Sequence, residues 1–364
     1  MTGAMYAAIA GLKSHMQKLN VIGNNISNVN TAGYKTAQTT FTEAIYTTVT
    51  AGSNGTDQVG GVNPSQLGYG CNVGTIAMDM STASYNADGN GMHCMIDGDG
   101  FFLTGNKSTA TVSADGTTLA TVNPKDLELS RVGDFCFDSQ GYLVDGRGNV
   151  VYGFVTKTTN TDNTIDDANN PQVSTQLVPI RLPMAAAKSD DATAPKQGTA
   201  LYPTAAGDTN DGKNVYPAGS GQPITADNIY IDKATGKVTA TNKADGSILV
   251  VGYIAMGVVS NPNGVTRLQN GYYKAGEGAG QCMAASIGGA VKGNFNNLAD
   301  DADGAVEIQS AGNTALLTGG LESSGTDLAT EIAEMITTQR GYQANTRIIT
   351  VTDSMLEELV NMKR

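Results

Sequence analysis

Tryptophan is absent, aromatic residues make up 6 % of the chain, and 364 residues contain only four cysteines and two histidines. So few aromatics leave little material for the apolar clefts that hold small ligands. Cys71, Cys94, Cys136 and Cys282 show no CxxC spacing, which argues against both a disulfide framework and a structural zinc site and leaves free, partly buried thiols. His93 and Cys94 are adjacent, but nothing nearby completes a metal-ligand set. Nucleophilic catalysis would have to use His15, inside a helical pattern, or His93, in a polar loop. No enzyme, cofactor or metal is expected. Positive charge is scarce as well: 22 Lys and Arg face 34 Asp and Glu, a net charge of −12. Nucleic acid and anionic lipid are therefore poor partners. The longest apolar run, Ile248 to Val259, has 12 residues, short of the ~20 that span a bilayer. Ala4 to Leu12 is apolar, yet Lys13 and Lys18 follow it rather than precede it, the wrong polarity for a secretory leader. It reads as the first turns of a helix.

Glycine is abundant, 45 residues, roughly 12 % against a usual ~7 %. At ~150 residues per domain the length suggests two or three domains. At the N-terminus, Met5, Ile9, Leu12, Met16, Leu19, Ile22, Ile26 and Val29 are spaced by three and four, an apolar stripe on one helical face. It runs into the Asn-dense 22–30 segment, so the helix should end between Asn30 and Gly33. At the C-terminus, Leu328, Ile332, Met335, Tyr342, Ile349, Leu356 and Val360 share one face, interrupted by Gln339, Thr346 and Asp353. Ile336, Ala344, Ile348, Val351, Met355, Leu359 and Met362 cluster roughly opposite. A helix with two opposed apolar stripes needs a neighbour on each side. Residues 1–35 carry +3, from Lys13, Lys18 and Lys35, whereas 321–364 carry −3. The signs favour pairing of the two ends, each exposed contact adding tenths of a kcal/mol.

Between the ends, 34–72 reads as an irregular connector and the remainder as short strands and turns. Tyr142-Leu143-Val144, the turn Asp145-Gly146-Arg147-Gly148, and Val150 to Val155 predict a β-hairpin. Thr, Asp, Asn, Ala and Pro dominate from Thr156 to about Ala226, which suggests an inserted outer β domain over 156–247. Asp97-Gly98-Asp99-Gly100, Asp208 to Gly212 and Asp301 to Gly304 fail the calcium-loop spacing and read as turns. Gly276 to Gly280 has neither the dinucleotide spacing nor a Walker lysine.

Val21-Ile22-Gly23-Asn24-Asn25-Ile26-Ser27-Asn28-Val29-Asn30-Thr31-Ala32-Gly33-Tyr34-Lys35 closely resembles the N-terminal signature of bacterial flagellar rod and hook proteins. Met335 to Arg347, with Gln339, Arg340 and Gly341-Tyr342-Gln343-Ala344-Asn345, resembles their C-terminal signature, continued by Thr352 to Asn361. Ile96 to Phe102, Gly141 to Val144 and Asn261 to Gly264 are similar to the family's inner β landmarks. Gly60 to Gly70, the length and the polar excursion are hook-like, and so is Gly341-Tyr342-Gln343. His93-Cys94-Met95 departs from the Asp-Leu-Ala-like run common there.

The resemblance implies a mixed α and β, multi-domain, elongated subunit. A coiled-coil-like inner domain (1–33 and 322–364) would adjoin the 34–72 connector, a β-rich middle (73–155 and 248–321) and the 156–247 insertion. It implies a hook subunit that polymerises into a curved, torque-transmitting tube, with a distal rod protein as the alternative; a secreted β-rich adhesin is a third reading. It implies export through the flagellar type III apparatus, residence in the extracellular flagellum, and rod, hook-cap and hook–filament junction proteins as partners. The assembly residues would be Ile9, Leu12, Met16, Leu19, Ile22, Asn24, Asn25, Ile26, Asn28, Val29 and Asn30 in the first helix. In the second they would be Leu328, Ile332, Met335, Ile336, Gln339, Arg340, Tyr342, Ile348, Ile349, Val351, Met355, Leu356, Leu359 and Val360.

Overall fold

The apolar repeats at the two ends fold as helices, α1 (Thr2–Ser27) and α2 (Leu328–Met362), and strands dominate between them. A computed structural model describes residues 2–54, 60–106, 122–157, 172–173, 177–186, 197–202, 204–205, 214–215, 222–287, 294–295, 306–307, 309–310 and 314–362. Two units result, one of Met1–Thr31, Lys35–Asp79 and Ser324–Arg364, the other of Ala32–Tyr34 and Met80–Ser323.

In the first unit α1 stops at Ser27, earlier than the Asn30–Gly33 expected. The asparagines explain the difference. Asn28 Nδ2 donates to the Asn24 carbonyl at 2.8 Å, competing with the helical backbone. The following Val29 N–H reaches only back to Ile26, at 3.3 Å, a tighter turn than the α-helix. Residues 34–72 also depart from expectation. The supposed connector contains β1 (Ala37–Glu43), β2 (Tyr46–Thr50) and β3 (Ser65–Gly68), and β4 (Cys71–Met78) begins at its end. β1 pairs antiparallel with β4 and β2 with β3. The cause is local: Thr39-Thr40-Phe41-Thr42 and Tyr46-Thr47-Thr48-Val49-Thr50 are runs of β-branched and aromatic residues.

The second unit is built from β5 (Tyr85–Ala87), β6 (Cys94–Asp97), β7 (Phe101–Gly105), β8 (Glu128–Ser130), β9 (Phe135–Phe137), β10 (Leu143–Asp145), β11 (Val150–Lys157) and later strands. The expected hairpin is present as β10–β11, with Val144 opposite Val150. Asp145 holds its turn by accepting from the Arg147 and Asn149 N–H groups, both at 3.0 Å. The apolar run Ile248–Val259 is one long strand, not a helix, flanked by β7, β11, Lys237–Asn242 and Cys282–Ser286. Nearly all of it is buried, as befits a central strand covered on both faces. Ala226–Ile231 and Lys237–Asn242, within the 156–247 stretch, continue this same sheet. Much of the rest of that stretch, including Asp208 to Gly212, lies outside the described residues, as does Asp301 to Gly304.

The core sits on this sheet. Phe102 meets Phe135 edge-on with centroids 4.9 Å apart, among Ile96, Leu143, Val151, Ile254 and Met256. Cys94 and Met95 are buried on β6, which pairs with Ala315–Thr318. His93 turns instead to Asp88, so the adjacent imidazole and thiol serve different environments. Burial pushes the Cys94 thiol far up, the direction that disfavours the reactive thiolate. Among the described residues no helix is long and apolar enough to cross a membrane.

Candidate assembly surface

The helices of the first unit run side by side in opposite directions, at short range. A Cβ on Gly11 would lie 2.7 Å from Asn345 Nδ2, and one on Gly341 would lie 2.9 Å from the His15 ring. Each glycine thus makes room for a polar side chain of the other helix. Ala8, Gly11, Ser14, Ile22 and Asn25 are the buried positions of α1. Facing them on α2, Thr338 and Thr352 are buried and Glu331, Met335, Tyr342, Asn345, Ile349 and Leu356 half-buried. This face recurs every three and four residues, and about half of it is polar.

Asn25 ties three elements together. Its Nδ2 donates to the Ala37 carbonyl and to Glu331 Oε1, both at 2.9 Å, while its Oδ1 accepts from the Ala37 N–H at 3.1 Å. The side chain therefore pairs with β1 as a neighbouring strand would and reaches α2 at the same time. Lys18 and Glu334 add an ion pair at 3.0 Å, in line with the opposite charges of the two ends. α1 is also held on β4, where Ser14 Oγ donates to the Cys71 carbonyl at 3.0 Å. Asp327 caps α2: it accepts from the Ala329 N–H at 3.1 Å and the Thr330 hydroxyl at 2.6 Å. The Thr330 hydroxyl, then the Ala329 N–H, hold its carboxyl below the usual range. Burial pushes Glu331 up, against the opposing pull of the Asn25 amide.

The predicted assembly residues divide sharply. In α1 and the turn after it, Ile22 and Asn25 are buried, and Leu12, Leu19, Ile26, Asn28 and Val29 half-buried. Ile9 (49 %) and Met16 (47 %) are exposed, with Asn24 and Asn30. In α2, Met335, Tyr342, Ile349 and Leu356 lie on the half-buried face. Leu328, Ile332, Ile336, Gln339, Arg340, Ile348, Val351, Met355, Leu359 and Val360 are exposed. The two opposed stripes of α2 thus have different fates: the first is half-buried at Met335, Tyr342, Ile349 and Leu356 and open at its ends, and the second is open throughout. Sequence reasoning missed the close-approach residues Ala8, Gly11, Ser14 and Gly341 and the threonines of the α2 face. The signal was there, in small residues spaced by three along α1.

The helical ends are also where the chain matches known proteins. Residues 5–35 match the family described as "Flagella basal body rod protein", and 317–362 match "Flagellar basal body rod FlgEFG protein C-terminal". A flagellar basal-body rod protein FlgG of Bacillus subtilis is 29 % identical over 364 residues, covering all of both chains. A flagellar hook protein FlgE of Borreliella burgdorferi is 26 % identical over a 465-residue alignment, again covering all of both. The FlgE of Escherichia coli is 24 % identical over 442 residues, 99 % of this chain and all of that one. The chain is similar to flagellar rod and hook proteins, at both helical ends and along its length. The two family matches contain all but the first three residues of α1, the whole of α2, and Gly11, Asn25, Glu331 and Gly341. The N-terminal match extends to Gly33, whose φ of +67° suits glycine, and a Cβ there would lie 2.9 Å from Val132 Cγ2. Tyr34, next in line, packs beneath the Arg267 guanidinium at 4.7 Å.

Proposed function

We propose that this chain is a structural, non-catalytic subunit of the flagellar hook, polymerising into the curved tube that carries torque from rod to filament. The observation that carries this reading is the open stripe of α2. Ile336, Ile348, Val351, Met355 and Leu359 face solvent opposite the side that meets α1. Each apolar side chain of this size gains about 1.5–3 kcal/mol on full burial, so the stripe favours a neighbouring copy. The three-and-four spacing of Glu331, Met335, Thr338, Tyr342, Asn345, Ile349, Thr352 and Leu356 supports a coiled-coil-like pairing of the terminal segments 1–33 and 322–364. These would form the inner layer of the tube. The β-rich stretches 73–155 and 248–321 would lie outside it, with the polar part of 156–247 that precedes Ala226 outermost. Rod, hook-cap and hook–filament junction proteins are the partners at the tube's ends, and the type III apparatus is the export route.

A second reading, a distal rod subunit, is favoured by the rod protein of Bacillus subtilis matched along its whole length. Electron microscopy of the purified full chain under polymerising conditions separates the two. A curved tube supports the hook, a straight rod transfers the chain to the rod, and absence of any polymer overturns both. The double variant Ile336→Asp with Val351→Asp should abolish the polymer. Both side chains are exposed, so the subunit's own stability should move by no more than about 0.5 kcal/mol each.

A further inference from the structure

His15 stands where three elements meet. From α2, Gly341 approaches so closely that a Cβ there would lie 2.9 Å from the ring's Cε1 and 3.0 Å from its Nε2. From β1, the Phe41 ring packs edge-on with centroids 5.6 Å apart. The His15 Nδ1 is buried and, among the described residues, has no hydrogen-bond partner. Lys18, on the same helix, is the charged group that acts on the ring. Glu334 of α2 lies against Lys18 at 3.0 Å, and Gly341 and Phe41 bring no charge.

We propose that His15 is a proton-sensitive lock on the packing of α1 against α2 and β1, closed while the ring is neutral and released when it takes up a proton. With its proton on Nε2, the neutral ring leaves only a lone pair at Nδ1, a modest cost in an apolar setting. Proton uptake turns the buried Nδ1 into a donor facing no acceptor and places a second positive charge beside Lys18. Both penalties fall on the packed state alone. Burial, and then Lys18, accordingly hold the ring's pKa below its usual value. A lowered pKa in the packed state means that the unpacked chain takes the proton first. Packing is therefore at full strength above the ordinary value of about 6.5 and weakens as pH falls through it toward the lowered one. This inference concerns a single copy and stands whether the polymer is a hook, a rod or neither.

The test uses the full chain, in which only His15 and His93 contribute imidazole ring-proton resonances. Amide exchange of α1 and α2, corrected for the intrinsic effect of pH, is compared at pH 7.5 and 5.0 in the wild type and in His15→Phe. Protection in the wild type should fall about tenfold or more, and in the ring-preserving variant less than twofold. An equal fall in both chains, or no fall in the wild type, overturns the proposal. Should the variant fold poorly, titration of the wild-type ring decides: a His15 midpoint below the ordinary value is expected, and an unshifted midpoint refutes the lock.

Discussion

The sheet unit and the helical unit bury different things. In the former, Phe102, Phe135, Ile254 and Met256 are fully buried in an apolar core. In the latter, the helices meet through glycines, threonines, Asn25 and Glu331, while Ile9, Met16, Ile336 and Val351 remain in water. A closed apolar core favours a subunit that folds alone. A polar, closely fitted face backed by an open apolar stripe favours one whose ends are completed by other copies. Burial scales with apolar area, so the helices hold their largest unrealised gain on the outside.

Breaking the sheet side should cost most. Phe102→Ala removes a fully buried ring in edge-on contact with Phe135 and should destabilise the chain by about 3–5 kcal/mol in denaturant titration. Asn25→Ala attacks the helical side. It leaves the Ala37 N–H and carbonyl without the pairing that Asn25 supplies, a cost of about 1–3 kcal/mol. The loss should appear as faster amide exchange in α1 and β1, with the sheet strands unchanged. If both units loosened together, the contrast between them would be lost.

Periodicity made the helices, the β10–β11 hairpin and the two-faced character of α2 legible in the sequence. Apolar spacing is a strong signal when one face is large and continuous. It misdirects where a helix packs through small residues. The α1 stripe of Ile9, Leu12, Met16 and Leu19 is the stronger apolar signal, yet close contacts are made by Gly11, Ser14 and His15. Close backbone approach depends on the absence of side-chain bulk, which hydrophobicity does not register. The strands in 34–72 were missed for a related reason: β1 to β3 are largely exposed on both faces, so the alternation that marks a half-buried strand is missing. Asn25 was legible only as part of a family signature, since a buried amide that pairs with a strand 12 residues on leaves no periodic trace.

The smallest effects come from the two acids that open α2, and they carry opposite signs. Asp327 is held below the ordinary carboxylate range by the Thr330 hydroxyl and the Ala329 N–H. Its contribution is complete above the ordinary Asp value of about 3.9 and is lost as pH falls through the lowered one. Glu331 is raised by burial, so the packed helix binds its proton more readily than the unfolded chain does. Its cost appears as pH rises from the ordinary Glu value of about 4.3 through the raised one. Asp327→Asn retains a good helix cap and should flatten the acid-side loss of α2 protection while changing little at pH 7. Glu331→Gln should strengthen protection slightly at pH 7 and not at pH 4, because its amide can still accept the Asn25 hydrogen bond without a buried charge. A fall in protection at pH 7 in that variant would mean that the charge of Glu331, and not the fit of its side chain, holds Asn25 in place.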